Sequence, residues 1–380
     1  MSGRPSLRKN KRVVLKIGSS VIASHDKGLD EERLAEIAEE VAALRAEGRE
    51  LFLVSSGAVL CGMEKLGLKR RPTSIPMKQA AAAVGQSRLM WAYEKFFERF
   101  QIKVAQVLLT REDIADRKRF INARNTLMTL LDRRVLPIIN ENDTVTIDEI
   151  KFGDNDHLAG QITHLVDASL LIILSDVDGL FQEDPRKNPG AALIPLVEEV
   201  TPEIEKMAGG AGPHGGTGGM GSKVRTAKQV AAYGGTTLIL NGTARGIIKR
   251  AFQGETVGTL FLPRAARLSS KKHWIAHSLK VKGEMVLDPG AVEAILKNGK
   301  SLLPSGVRSI EGKFEVGDAV RLLSNEGKEI AKGLTNYSAS EMIQIKGIHS
   351  SQIEKALGYK STDEVIHRDN LVVTAGVQAP

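Results

Sequence analysis

Two lysines in this 380-residue chain stand where an anion would need them. Lys16 sits inside the apolar run Val13-Val14-Leu15-Lys16-Ile17, directly before Gly18-Ser19-Ser20. A cation in such a run is costly unless it faces an anion; the alternative is an edge strand that turns it to solvent. Lys223 ends the glycine-rich stretch His214-Gly215-Gly216-Thr217-Gly218-Gly219-Met220-Gly221-Ser222-Lys223. Glycines let backbone N–H groups close around phosphate oxygens, and the stretch opens an expected helix, Ser222–Tyr233, whose N-terminus favours anions. A plain linker is the alternative. The formal GxGxxG at Gly216, Gly218 and Gly221 fails as a dinucleotide fingerprint. A helix-like segment, Glu203–Ala208, precedes it instead of a strand, and Asn241 stands where an acid is required. The Walker A spacing is absent too. Two cations with backbone donors suffice for phosphoryl transfer, which needs positioning and charge neutralisation more than covalent chemistry.

The acids fall in two groups, Asn140-Glu141-Asn142-Asp143 and Gly153-Asp154-Asn155-Asp156. Asp143 could accept from a substrate ammonium, and Asn155 could donate to a carboxylate. Asp156 has the charge to hold both lysines. Acids in a first helical turn also serve as plain dipole partners, which is the competing reading for the second group. No obvious general base accompanies them. A carboxylate acceptor would need none, because it is already ionised at neutral pH.

The elements that must position these residues alternate. Short apolar runs at Val13–Ile17, Glu50–Val54, Lys103–Leu109, Val135–Ile139, Leu170–Leu174 and Thr236–Leu240 read as strands. Between them lie helix patterns: one capped by Asp30 and stopped by Gly48, and a long one at Met77–Phe97 with Pro76 at its start. This is the pattern of an α/β protein, a three-layer αβα sandwich around a mainly parallel sheet. Ligands of such sheets bind beyond the carboxyl ends of the strands. Lys16-Ile17-Gly18-Ser19-Ser20, Ser55-Ser56-Gly57, Asn140–Asp143 and Ser175-Asp176-Val177-Asp178-Gly179 all fall there. After Pro263 the texture changes to short β-type runs and frequent glycines. The expected division is 1–263, a basic linker at 264–280, a small mostly-β domain at 281–359, and a tail at 360–380.

Composition narrows the class. A 42% hydrophobic, 26% charged chain is ordinary for a soluble protein, and its single cysteine, Cys61, excludes an internal disulfide framework. Cys61 is expected to be a buried thiol. The basic N-terminus lacks an apolar signal region, and no run is long enough to span a membrane, so a cytoplasmic protein with no membrane contact is expected. The net charge of +8 suggests nucleic acid only weakly. Residues 1–263 carry 36 basic and 32 acidic side chains, and 264–380 carry 17 and 13. Only Arg264–Lys282, with six basic residues and no acid, is lopsided. Few aromatics are available there for base stacking, so RNA is not expected as a partner. His367-Arg368-Asp369-Asn370 mimics a protein-kinase catalytic loop but leaves no room for the segments that must follow it.

Together, Lys16–Ser20, Ser55-Ser56-Gly57-Ala58, Asn140–Asp143, Gly153–Asp156, Ser175-Asp176 with Asp178-Gly179-Leu180, and Thr217–Lys223 resemble the amino-acid kinase family, and 281–359 resembles a PUA domain. The resemblance covers nearly the whole chain. It implies ATP-dependent phosphorylation of the side-chain carboxylate of L-glutamate to L-glutamyl 5-phosphate, the first step of proline biosynthesis. Another small carboxylate such as N-acetylglutamate or aspartate, a carbamate or a nucleoside monophosphate is the alternative acceptor within the family, and RNA binding through the PUA-like domain is the alternative function outside it. By the same resemblance, Lys16 contacts ATP phosphates, while Ser56, Asp143 and Asn155 bind glutamate. Ser175, Asp176, Thr217, Gly218, Gly219, Met220, Gly221, Ser222 and Lys223 bind ATP, and Lys16, Lys223 and Asp156 serve catalysis. It further implies Mg²⁺ held largely by nucleotide phosphates, feedback inhibition by proline, a homo-oligomer, and γ-glutamyl phosphate reductase as a partner. Protein ligands to the metal are not implied. The chain departs from the family pattern at Ser55 and Ser175, where threonine is common, at His157, where asparagine is common, and at Gly221, where a small hydroxyl residue is common. None of these removes a needed charge.

Overall fold

The computed structural model describes residues 6–24, 28–145, 155–209, 219–263 and 281–374. Gly153, Asp154, Thr217, Gly218 and the basic stretch 264–280 lie outside them. The chain divides into two units, Met1–Ala115 with Ala123–Arg267, and Asp116–Asn122 with Leu268–Pro380.

The first unit is built on eight strands: β1 (Arg12–Ile17), β2 (Glu50–Ser55), β3 (Val104–Leu109), β4 (Leu136–Glu141), β5 (Leu170–Ser175), β6 (Leu196–Val197), β7 (Thr236–Asn241) and β8 (Thr259–Phe261). Their order is β3-β4-β2-β1-β5-β7-β8-β6, and every pair is parallel except β7 with β8. Six strands fall where the apolar runs predicted them. Strands β6 and β8 are too short for any alternation to reveal them.

Alternation along β1 divides the two faces. Val13, Leu15 and Ile17 join a core with Leu34, Ile37 and Val41 of helix α1 (Glu31–Ala46). Strand residues two apart share a face, so Lys16 lies with Val14 on the opposite side. There the sheet carries α4 (Asn155–Leu165) and α5 (Met220–Ala232), which also pack on each other. With helices on both faces, the fold is the αβα sandwich expected. Asp30 caps α1 through a bond from the Arg33 N–H, as the sequence indicated.

On the α1 side, α2 (Ala58–Lys65) and α3 (Ile75–Glu98) cross in backbone contact. A Cβ on Gly62 would stand 1.7 Å from the Ala81 carbonyl oxygen, and one on Gly85 would stand 1.8 Å from that of Ala58. Only glycine allows that approach. It brings the middle of α3 against the start of α2, beside the end of β2. Cys61 of α2 is wholly buried at this crossing, and burial pushes its thiol up to about 11. Alkylation by iodoacetamide at pH 8 is therefore expected only after unfolding in urea; rapid labelling of the folded protein would contradict this packing.

The second unit holds a five-stranded sheet of β9 (Val281–Leu287), β10 (Val307–Gly312), β11 (Ala319–Leu323), β12 (Glu329–Leu334) and β13 (Leu371–Val373), in the order β10-β9-β11-β12-β13. Met285, Leu287, Val320, Leu322, Ile330 and Tyr337 form its core. The segment read from sequence as a tail supplies the edge strand β13, paired antiparallel with β12. Arg368–Asn370, in the sequence that mimics a kinase loop, is a 3-10 turn leading into that strand. No described helix is long and apolar enough to cross a membrane.

Candidate active site

Parallel pairing brings the carboxyl ends of β1, β2, β4, β5 and β7 to one edge, with Ile17 beside Ser55 and Ser175 beside Asn241. From β1 the chain first builds outward through β2 and later returns to place β5 on the other side of β1. This reversal leaves a crevice above β1, where open α/β sheets bind ligands. A cleft of about 660 Å³ occupies that place. Its walls include Lys16, Ser56, Asp143, Asn155, Ser175 and Asp176, together with Gly219, Met220, Gly221, Ser222 and Lys223.

Beneath the cleft, Asp156 ties two elements together. It is fully buried in the first turn of α4, with one carboxylate oxygen 2.6 Å from the Lys16 Nζ and the other 3.1 Å from the Lys223 Nζ. Each lysine is about 5% exposed, so Lys16 is neither at a sheet edge nor turned to solvent. Burial pushes the Asp156 carboxyl up, but the two ammonium groups outweigh it and hold the acid below the usual carboxylate range. The aspartate thus stays ionised, and both ammonium groups are fixed against one side of the cleft.

Lys223 reaches this position because α5 starts at Met220, two residues before the sequence reading placed it. Gly219 is the N-cap and makes no side-chain capping bond. The positive end of a 13-residue helix thus opens at the cleft wall, on the same side as the lysines.

A second part of the lining is a network of amides. Asn155 Nδ2 faces three acceptors at 2.9 Å: the Ser55 carbonyl, Ser56 Oγ and Asn140 Oδ1. Those three acceptors fix the amide's orientation. Its Oδ1 is buried and has no hydrogen-bond partner among the described residues. With Nδ2 held in this way, Oδ1 is the end of the amide that no described residue satisfies. Ser56 accepts from Asn155 and keeps its own O–H to donate. Ser55 Oγ lies 2.7 Å from the Tyr93 hydroxyl, which anchors the end of β2 to α3.

Asp143 stands just past β4. Burial, with the nearby Glu141 charge adding to it, pushes its carboxyl up to about 7. Ser175 Oγ donates to Asp176 Oδ1 at 3.2 Å at the end of β5. Beyond it, Gly179, Leu180 and Phe181 carry the wall onward, and Arg71 and Arg186 add cations at the cleft that no sequence signal singled out. In sum, the cleft has one wall with two fixed ammonium groups and a helix N-terminus, and another with hydroxyl donors and side-chain acceptors.

The sequence profile of the amino acid kinase family matches residues 11–241. The chain belongs to this family. In this amino acid kinase the match spans every strand of the sheet but β8 and every wall of the cleft just described. A PUA-domain profile matches residues 283–357, within the second, β-rich unit. A glutamate 5-kinase of Geobacter sulfurreducens is 55% identical over 367 residues, which cover 97% of this chain and 98% of that protein. One from Pelobacter propionicus is 52% identical over 370 residues, covering 97% and 99%. Two residues that sequence reading did not assign stand in or behind the cleft wall. Asn140 was visible only as part of a motif, and Gln86, whose Oε1 accepts from Asn140 Nδ2 at 2.8 Å, carried no signal at all.

Proposed function

We propose that this protein transfers the γ-phosphoryl group of ATP to the side-chain carboxylate of L-glutamate, giving ADP and L-glutamyl 5-phosphate at the start of proline biosynthesis. The observation that carries this reading is that one cleft holds both a lysine pair fixed by a buried carboxylate and a separate set of amino-acid acceptors. The near-full-length likeness to glutamate 5-kinases supports glutamate as the acceptor.

In this reading Asp143 and Asn155 Oδ1 accept from the substrate ammonium, and Ser56 donates to a carboxylate oxygen. The N-terminus of α2, which lines the same wall, favours the α-carboxylate. Ser175 and Asp176, with Thr217 to Ser222, hold the nucleotide. Lys16 and Lys223 flank the transferring group, while Asp156 positions them. The side-chain carboxylate oxygen attacks the γ-phosphorus as the bond to the β,γ-bridging oxygen breaks. No proton has to move, which suits a cleft built of ammonium groups and amides. No group of three or more His, Cys, Asp or Glu side chains suited to a metal occurs among the described residues. We therefore assign Mg²⁺ to the nucleotide phosphates, where it would neutralise charge, and rest no step on it. The labile acyl phosphate calls for a reductase that consumes it, and proline competing for the glutamate pocket would close the feedback loop. We also read the protein as a cytoplasmic homo-oligomer.

ADP release measured across glutamate, aspartate and N-acetylglutamate, with and without proline, tests the assignment. Turnover of N-acetylglutamate in preference to glutamate would overturn it. A pH profile tests the role of Asp143. Only the ionised form attracts an ammonium, and this carboxyl ionises at about 7. Hence kcat/KM for glutamate should rise about tenfold per pH unit below that value and level off above it. The variant Asp143→Asn should be low and flat across the same range. An unchanged profile in that variant would remove Asp143 from substrate recognition.

A further inference from the structure

Gln86 lies on α3, outside the main cleft, and lines a second, smaller cavity of about 290 Å³ together with Gln106, Glu141 and Asp143. It nevertheless reaches the cleft through a chain of side-chain amides. Gln86 Oε1 accepts from Asn140 Nδ2 at 2.8 Å. Asn140 Oδ1 in turn accepts from Asn155 Nδ2 at 2.9 Å and from the Glu141 N–H at 2.9 Å. The Glu141 N–H can only donate and the Ser55 carbonyl can only accept, so each amide has a single workable orientation. Asn140 is 3% exposed and Asn155 7%. Among the described residues, Gln86 Oε1 is the acceptor that satisfies Asn140 Nδ2.

We propose that Gln86 is a positioning residue for the amino-acid substrate: by holding Asn140, it fixes the place of Asn155, which lines the cleft and whose Oδ1 has no partner among the described residues. This rests on the glutamate-kinase reading. Without the Gln86 acceptor, the buried Asn140 amide would have to turn to find another partner. Asn140 Oδ1 would then leave Asn155 Nδ2, which would rest on the Ser55 carbonyl and Ser56 Oγ alone, so Asn155 would lose its tie to β4 and shift within the cleft lining. The lysine pair on Asp156 is outside this chain of bonds and would be untouched. Recognition of the amino acid should therefore suffer while nucleotide binding does not.

Gln86→Met keeps the volume and removes the acceptor, whereas Gln86→Glu keeps an acceptor in the same place. Gln86→Met is expected to raise KM for glutamate roughly tenfold, the scale of one unsatisfied buried amide, with KM for ATP and kcat each within about twofold. Gln86→Glu is expected to restore KM for glutamate to within about threefold of the parent at a pH where Asp143 is fully ionised, because its own charge in the cavity shared with Glu141 and Asp143 pushes that carboxyl further up. An unchanged KM for glutamate in Gln86→Met would overturn the proposal. So would parallel losses in both KM values, kcat and Tm, which would mark Gln86 as a packing residue only. If the parent protein itself failed to phosphorylate glutamate, the functional reading would fall instead, so the two failures are distinguishable.

Discussion

Replacing Asp156 by asparagine is expected to lower kcat by about 1,000-fold or more, the largest single-residue effect this site should give. Asparagine keeps the shape but removes the negative charge between two ammonium groups that lie 2.6 and 3.1 Å from its oxygens. Around a side chain with no solvent exposure, two poorly screened cations then repel each other and must move apart. Both lysines would lose their aim on the transferring group at once. The loss should fall on kcat more than on either KM, because the aim matters most where charge develops in the transition state. Breaking a buried ion cluster from one side should also cost about 3 kcal/mol of stability at neutral pH. The carboxyl is held below its ordinary value in the folded protein. Its stabilisation is therefore complete above the unfolded value of about 4 and disappears as pH falls through the depressed folded value. Urea unfolding of the parent and the variant should converge in that acid range. A variant with near-parent kcat would show that the lysines need no common anchor.

What could be read from the sequence depended on how local its cause was. The six main strands were visible because each is a short apolar run whose neighbours in the sheet do not alter its pattern. The grouping of Lys16, Lys223 and Asp156 was visible because a buried cation needs an anion, and that requirement holds whatever the path of the chain. The direction of Asn155 was not visible. It depends on the Ser55 carbonyl, 100 positions away, and on Asn140, 15 positions away. Sequence spacing holds no information on which end of an amide is left without a partner. Gln86 was hidden for the same reason: its partner is 54 positions away, and a glutamine on a half-buried helix face is unremarkable. The start of α5 was misjudged by two residues because glycine and methionine are weak signals for a helix N-terminus, where an open Gly219 cap meets the cleft.

Lys223→Ala is expected to reduce kcat by about 100-fold, the scale of losing one preorganised charge-stabilising donor. The difference from the aspartate variant is physical. Here Asp156 keeps Lys16 at 2.6 Å, so a neutral buried pair remains and no like charges are forced together. Stability should accordingly fall less than in Asp156→Asn. Lys223 enters from the first turn of α5, whose N-terminus opens on the cleft, so its ammonium and the helix end favour the same anion. Lys16 enters from β1 on the other side of Asp156, and its aim should survive. The remaining activity of Lys223→Ala therefore measures what Lys16 and the backbone donors can do alone. Arginine should not rescue it, because a planar guanidinium cannot fit a site that holds one ammonium 5% exposed against a shared carboxylate. Single-turnover measurement with saturating ATP and glutamate separates this loss from binding. Near-parent turnover in Lys223→Ala would take Lys223 out of the mechanism and leave it as a structural counter-ion of Asp156.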